Sequence, residues 1–75
     1  MSSEIIQILD VCVNKEVLIK LKNHTTIRGK LQTFDQHMNM LLTKVEDITE
    51  EKPKNLDKII LRGDNILIVS LPEEK

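Results

Sequence analysis

Two short segments hold most of the side chains in this sequence that could do chemistry: Phe34-Asp35-Gln36-His37-Met38-Asn39-Met40 and Leu61-Arg62-Gly63-Asp64-Asn65. His37 and Arg62 bring a flat imidazole and a flat guanidinium, both able to stack on a π face in a chain that has no Tyr or Trp. The Asn39 amide offers an acceptor and donors side by side, and Asp35 and Asp64 are carboxylate acceptors. This set suits recognition of a flat, polar-edged ligand better than bond making. Asp35 and His37 form a nominal dyad, yet no Ser or Cys nucleophile stands beside them, and the sequence has no phosphate loop or metal-ligand cluster. No enzyme activity, cofactor or metal is expected.

Taken singly, each residue has an ordinary reading. His37 alone is a loop histidine, Asn39 and Asp64 are turn-capping types, and Arg62 is a solvated charge at a strand end. What raises them above that is their occurrence as two motif halves in one chain. Met38 and Met40 read as core filler, Cys12 as a small apolar residue on a helix face, and His24 as part of a turn. Lys20, Lys22 and Lys30 read as solubilising charges that also lie within reach of phosphates.

The elements that position these segments follow from periodicity. Ser2 or Ser3 can cap a helix over about residues 3–13, with Glu4 in its first turn and Ile5, Ile8, Leu9 and Cys12 on one face. From Glu16 the period changes to two: Val17, Ile19 and Leu21 alternate with Leu18, Lys20 and Lys22, as in a half-buried strand. Asn23-His24 makes a tight turn into a second strand over Ile27–Phe34, with Gly29 in its middle as a structural bend point. A third strand begins near Met38 and runs to Ile48. The polar stretch from Glu46 to Asn55, containing Pro53, reads as an exposed loop, and Asp57–Leu61 and Asn65–Leu71 as two more aliphatic strands. One helix and five strands, without repeat or linker, predict a single mainly-β domain over residues 1–75: a strongly bent antiparallel sheet curled into a small open barrel capped by the helix. Its two open edges can pair between subunits and close a ring.

Composition limits the function classes. The chain has 75 residues, with ten Ile, ten Leu and five Val but one aromatic, Phe34, so an RNA-binding sheet of stacked aromatics is excluded. The formal net charge of −1 excludes a broadly basic binding surface, although residues 15–44 carry a local balance of +4. Four acids lie between Glu46 and Glu51, on the predicted loop. Cys12 is the single cysteine, which fits a reducing cytoplasm. No apolar run approaches the ~18 residues of a membrane span, and the opening Met-Ser-Ser-Glu has no secretory h-region, so a soluble protein without membrane contact is expected.

Gly29, the Asp-x-His-Met-Asn run at residues 35–39 and the Arg-Gly-Asp-Asn run at 62–65 resemble the two motifs of the Sm and Sm-like (Lsm) family. The first motif falls at about residues 16–48, the second at about 57–71, and the likeness covers nearly the whole chain. The Asn23-His24 turn departs from it, since many members have glycine there. The resemblance, nearest to the archaeal members, implies a barrel whose fourth strand pairs with the fifth strand of a neighbour in a six- or seven-membered ring. It implies binding of single-stranded U-rich RNA, with His37, Asn39, Arg62 and Asp64 forming the base pocket, and a role in RNA processing, stability or annealing alongside RNA-processing proteins.

The residues agree with that implication. His37 and Arg62 can sandwich a base, and the Asn39 amide matches the uracil edge, where an N3–H donor lies between carbonyl acceptors. A carboxylate on Asp64 that accepts one Asn39 amide hydrogen would fix the amide and favour uracil over cytosine. Gly63, lacking a Cβ, would supply positive φ or let RNA backbone approach. The same residues also serve one subunit of a hetero-oligomeric ring, and the barrel alone would serve a protein-binding scaffold ring.

Overall fold

The computed structural model describes residues 4–71. Helix α1 (Glu4–Val11) is followed by β1 (Glu16–Leu21), β2 (Thr26–Phe34), β3 (Met40–Asp47), β4 (Lys54–Leu61), a short 3₁₀ turn (Gly63–Asn65) and β5 (Ile66–Ser70). The strands form one antiparallel sheet in the order β4-β3-β2-β1-β5. The expected helix plus five bent strands is therefore what the chain adopts. The Ser2 and Ser3 capping positions lie outside the described residues.

Alternation in β1 buries Val17, Ile19 and Leu21, and in β2 it buries Ile27 and Leu31. With Leu9, Cys12, Met40, Leu42, Val45 and Leu61 these make an all-aliphatic and sulfur core, against which the one aromatic ring, Phe34, is only partly buried. Each fully buried Ile or Leu contributes about 1.5–3 kcal/mol relative to exposure, so the core stabilises without aromatic packing.

The bend is visible at Gly29. A Cβ there would stand 2.8 Å from Val45 Cγ2 and 3.4 Å from the Thr43 carbonyl oxygen, so glycine lets β3 cross β2 closely. Pairing shifts register between Arg28 and Lys30, where β3 contributes an extra residue and Lys44 takes a left-handed φ of 52°. Such a bulge increases local twist and curls the sheet. The first hairpin turn closes without glycine because His24 adopts a φ of 68° and Asn23 Oδ1 accepts the Thr25 N–H at 3.1 Å.

Two strand boundaries and the burial of the helix differ from expectation. β3 begins at Met40, not near Met38, because Met38 has a left-handed backbone with φ 67°. β4 begins at Lys54, inside the predicted loop: Lys54 pairs with Asp47 and Asn55 with Glu46, and an edge strand accepts such polar residues. Only half of the helix face is buried; Leu9 and Cys12 are inside, while Ile5 and Ile8 remain 59% and 44% exposed. The expected positive face is also partly cancelled, since Arg28 pairs with Glu46 at 2.6 Å across β2 and β3.

Candidate functional site

The β2–β3 hairpin and the β4–β5 turn come together at one end of the sheet. Phe34 pairs with Met40, the Asp35 N–H donates to the Asn39 carbonyl at 3.0 Å, and residues 36–38 form the loop. The Asp35 carboxylate folds over that loop. Its Oδ1 accepts the backbone N–H groups of His37 at 2.9 Å and Asn39 at 3.0 Å, and its Oδ2 accepts the Asn39 side-chain amide at 3.0 Å. These donors, the Asn39 side chain foremost, hold the Asp35 carboxyl below the usual carboxylate range.

Asn39 then bridges to the second segment. Its Oδ1 accepts the Gly63 N–H at 2.8 Å. Gly63 has no positive φ; a Cβ on it would collide with the His37 carbonyl oxygen and stand 3.0 Å from the Met38 carbonyl carbon. The glycine is thus required by a close approach of two loops of this chain, and not by the positive φ expected from sequence.

Arg62 and Asp64 lie on the same turn and pair with each other at 3.0 Å, with side chains 76% and 61% exposed. Asp64 therefore does not hold the Asn39 amide; the carboxylate that does is Asp35, four residues before Asn39 in the hairpin. The i, i+4 spacing of an acid and an amide across a hairpin loop is the signal that sequence reading passed over. A further link comes from the first turn, where the Lys22 N–H donates to the Asn65 carbonyl at 2.9 Å.

Residues 7–71 match the LSM domain. The chain belongs to the LSM domain family. Among relatives of this LSM protein is a Pyrococcus furiosus chain provisionally named snRNP Sm-like protein, 36% identical over 75 residues, 99% of either chain. The SmAP1 heptamer of P. aerophilum has a similar fold, with TM-score 0.85, 32% identity and 99% coverage of both chains. The Pyrococcus abyssi Sm protein, solved with a uridine heptamer, gives TM-score 0.82 and 33% identity, covering 95% of this chain and all of that one.

The arrangement has a definite chemical capacity. With one amide hydrogen on Asp35 and Oδ1 on Gly63, the Asn39 side chain keeps a second N–H and a second lone pair. Flipping it would set NH₂ against an N–H and oxygen against a carboxylate, losing two hydrogen bonds worth at least about 2 kcal/mol together. His37 is exposed on the same hairpin and Arg62, exposed though paired with Asp64, precedes Gly63, so the two loops that hold the fixed amide also carry two solvent-accessible planar groups.

Proposed function

We propose that this LSM protein assembles into a homo-oligomeric ring and binds U-rich single-stranded RNA, with His37 and Arg62 stacking on the base and Asn39 reading its edge. The observation that carries the reading is the doubly anchored Asn39 amide, whose free acceptor and donor complement uracil N3–H and an adjacent carbonyl. Cytosine, with an acceptor at N3, mismatches the fixed orientation. Asp35 sets the amide, Gly63 closes the two loops together, and Asp64 restrains Arg62.

The ring follows from the edges. Among the described residues β4 and β5 each pair on one side only, and both edges carry exposed apolar residues, Leu56 and Ile60 on β4, Leu67 and Ile68 on β5. Pairing β4 of one copy with β5 of the next satisfies both backbones and covers those side chains. The P. aerophilum relative is a heptamer, and the P. abyssi relative is solved with a uridine heptamer, which supports seven subunits and the uridine ligand here. Service in RNA processing, stability or annealing in the cytoplasm is consistent with this; no described helix is long and apolar enough to cross a membrane.

Native mass measurement together with fluorescence anisotropy tests the proposal. A ring that binds oligo-U at least tenfold more tightly than oligo-C is expected. A monomer, or a ring indifferent to both homopolymers, would overturn it, and the latter would favour a protein scaffold.

A further inference from the structure

Met38 stands between the two hairpin residues of the candidate site, and its backbone φ is 67°. The hairpin explains the angle. The Met38 N–H donates to the Asp35 carbonyl at 3.0 Å, and Asp35 N–H closes on the Asn39 carbonyl at 3.0 Å, a three-residue loop whose last position turns left-handed. Glycine fits such a position best, and Asn or Asp next. Of the other positive-φ residues, Asn14, His24 and Asp57 are types that tolerate it, and Lys44 lies at the β3 bulge. Nothing local favours Met.

The compensation is non-local. Met38 is partly buried, packs against the core, and lines a groove of about 410 Å³ with Ile5, Ile8 and Leu9 of α1 and Ile66 and Val69 of β5. Its carbonyl carbon and Cβ also lie 3.0 and 3.1 Å from where a Gly63 Cβ would be, so the same residue sets the spacing of the two site loops.

We propose that Met38 is a positioning residue for the base site: its side chain, packed against the core on the wall of the groove that α1 and β5 also line, holds the left-handed backbone that fixes His37 relative to Asn39. The proposal rests on the RNA-binding reading above. It treats local disfavour and distant packing as one device, in which the anchor keeps the loop in its binding conformation before RNA arrives and so removes an ordering cost from binding.

Met38→Gly separates the two contributions, because glycine accepts the backbone angle but removes the anchor; Met38→Leu keeps an anchor of similar volume. The assembled ring of each variant is titrated with oligo-U, and amide exchange is followed at His37 and Asn39 with Ile19 and Leu42 as core references. Met38→Gly should form the same ring, bind oligo-U tenfold or more weakly, and exchange at least tenfold faster at His37 and Asn39 alone; Met38→Leu should stay within twofold. Wild-type affinity and exchange in Met38→Gly would overturn the proposal, as would an equal loss in Met38→Leu. Should Met38→Gly fail to assemble, Met38→Ala is judged by the same two measurements. If the wild-type ring binds no oligo-U, the RNA reading fails, while unchanged exchange at His37 and Asn39 would still count against Met38 separately.

Discussion

Gly63 donates its backbone N–H to Oδ1 of Asn39 at 2.8 Å, across 24 residues of sequence, and this bond joins the two motif halves into one site. On the other side of the same amide, Asp35 accepts the Asn39 N–H at 3.0 Å. One side chain is thus clamped at both ends, by a main-chain donor and by a carboxylate. Direction matters as well as strength: each clamp rejects the flipped amide, so orientation is set before any ligand is present.

Gly63→Ala should therefore damage both fold and binding. The added methyl would meet the His37 carbonyl oxygen, a backbone atom that cannot swing aside as a side chain would. Forcing a methyl into a packed site costs about 1–3 kcal/mol, and the Gly63–Asn39 bond would lengthen or break. Urea melts should show the loss, and an alanine variant as stable as wild type with unaltered oligo-U affinity would contradict the close-approach argument.

Asp35→Ala and Asp64→Ala should separate selectivity from affinity. Removing Asp35 leaves the Asn39 amide held by the Gly63 N–H alone, so the preference for oligo-U over oligo-C should fall by about threefold or more. Removing Asp64 frees only the exposed Arg62 side chain. Affinity for both homopolymers should then change together, with their ratio kept. Anisotropy titrations of the two variants decide it; a collapsed ratio in Asp64→Ala would restore the role first expected for that residue.

That exchange of roles shows where the sequence stops being legible. Strands β1 and β2 follow from period-two alternation at Val17, Ile19, Leu21, Ile27 and Leu31, and the structure buries each of them. The two motif halves meet where the Gly63 N–H reaches Asn39 and the Gly63 backbone approaches the His37 carbonyl. The choice between Asp35 and Asp64 as partner of Asn39 was not readable, because it depends on how a three-residue loop folds an acid back over its own hairpin. Met38 was hidden for a related reason: an apolar residue in a turn looks like filler until its φ is known. The exposure of Ile5 and Ile8 escapes periodicity altogether, since a pattern shows that a face is apolar and not whether one chain suffices to cover it.

Acid should weaken the site in a specific window. The Asp35 carboxyl is held below its ordinary value, chiefly by the Asn39 side-chain hydrogen bond, and Asp47 likewise by Thr49, whose hydroxyl donates to it at 2.6 Å. A depressed carboxylate contributes stability that is complete above the unfolded pKa of about 3.9 and is lost as pH falls through the lower folded value. Oligo-U over oligo-C discrimination should accordingly be flat from neutral pH down to about 4 and decline below it. Asp35→Asn should abolish that decline, whereas Asp47→Asn, on the far hairpin, should leave it in place. Measuring the affinity ratio against pH for the three proteins is sufficient, and a decline centred near pH 6 would point to a histidine instead.

The edge strands offer a test of assembly independent of RNA. Ile60 is 76% exposed in the single chain, so Ile60→Lys should leave the fold of one subunit intact. In a β4–β5 contact the same lysine would be buried beside apolar residues such as Leu67, which costs several kcal/mol unless its charge is paired. Native mass spectra should then show monomer or small oligomers with an unchanged far-UV spectrum. An intact ring from Ile60→Lys would place the subunit contact elsewhere.

Binding should also respond weakly to salt. The net charge is −1, and Arg28, one of the basic residues in the locally positive stretch, is occupied by Glu46 at 2.6 Å. A seven-nucleotide RNA with about six phosphates, each fully neutralised, would give a slope of log affinity against log salt near −4, at roughly −0.7 per phosphate. A site that holds bases by stacking and edge contacts should show less than about half of that slope. Arg62→Ala should lower affinity steeply through lost stacking while changing the slope by at most about one phosphate's share. A wild-type slope near the full value would mean that backbone charge, and not the pocket built on Asn39, carries the interaction.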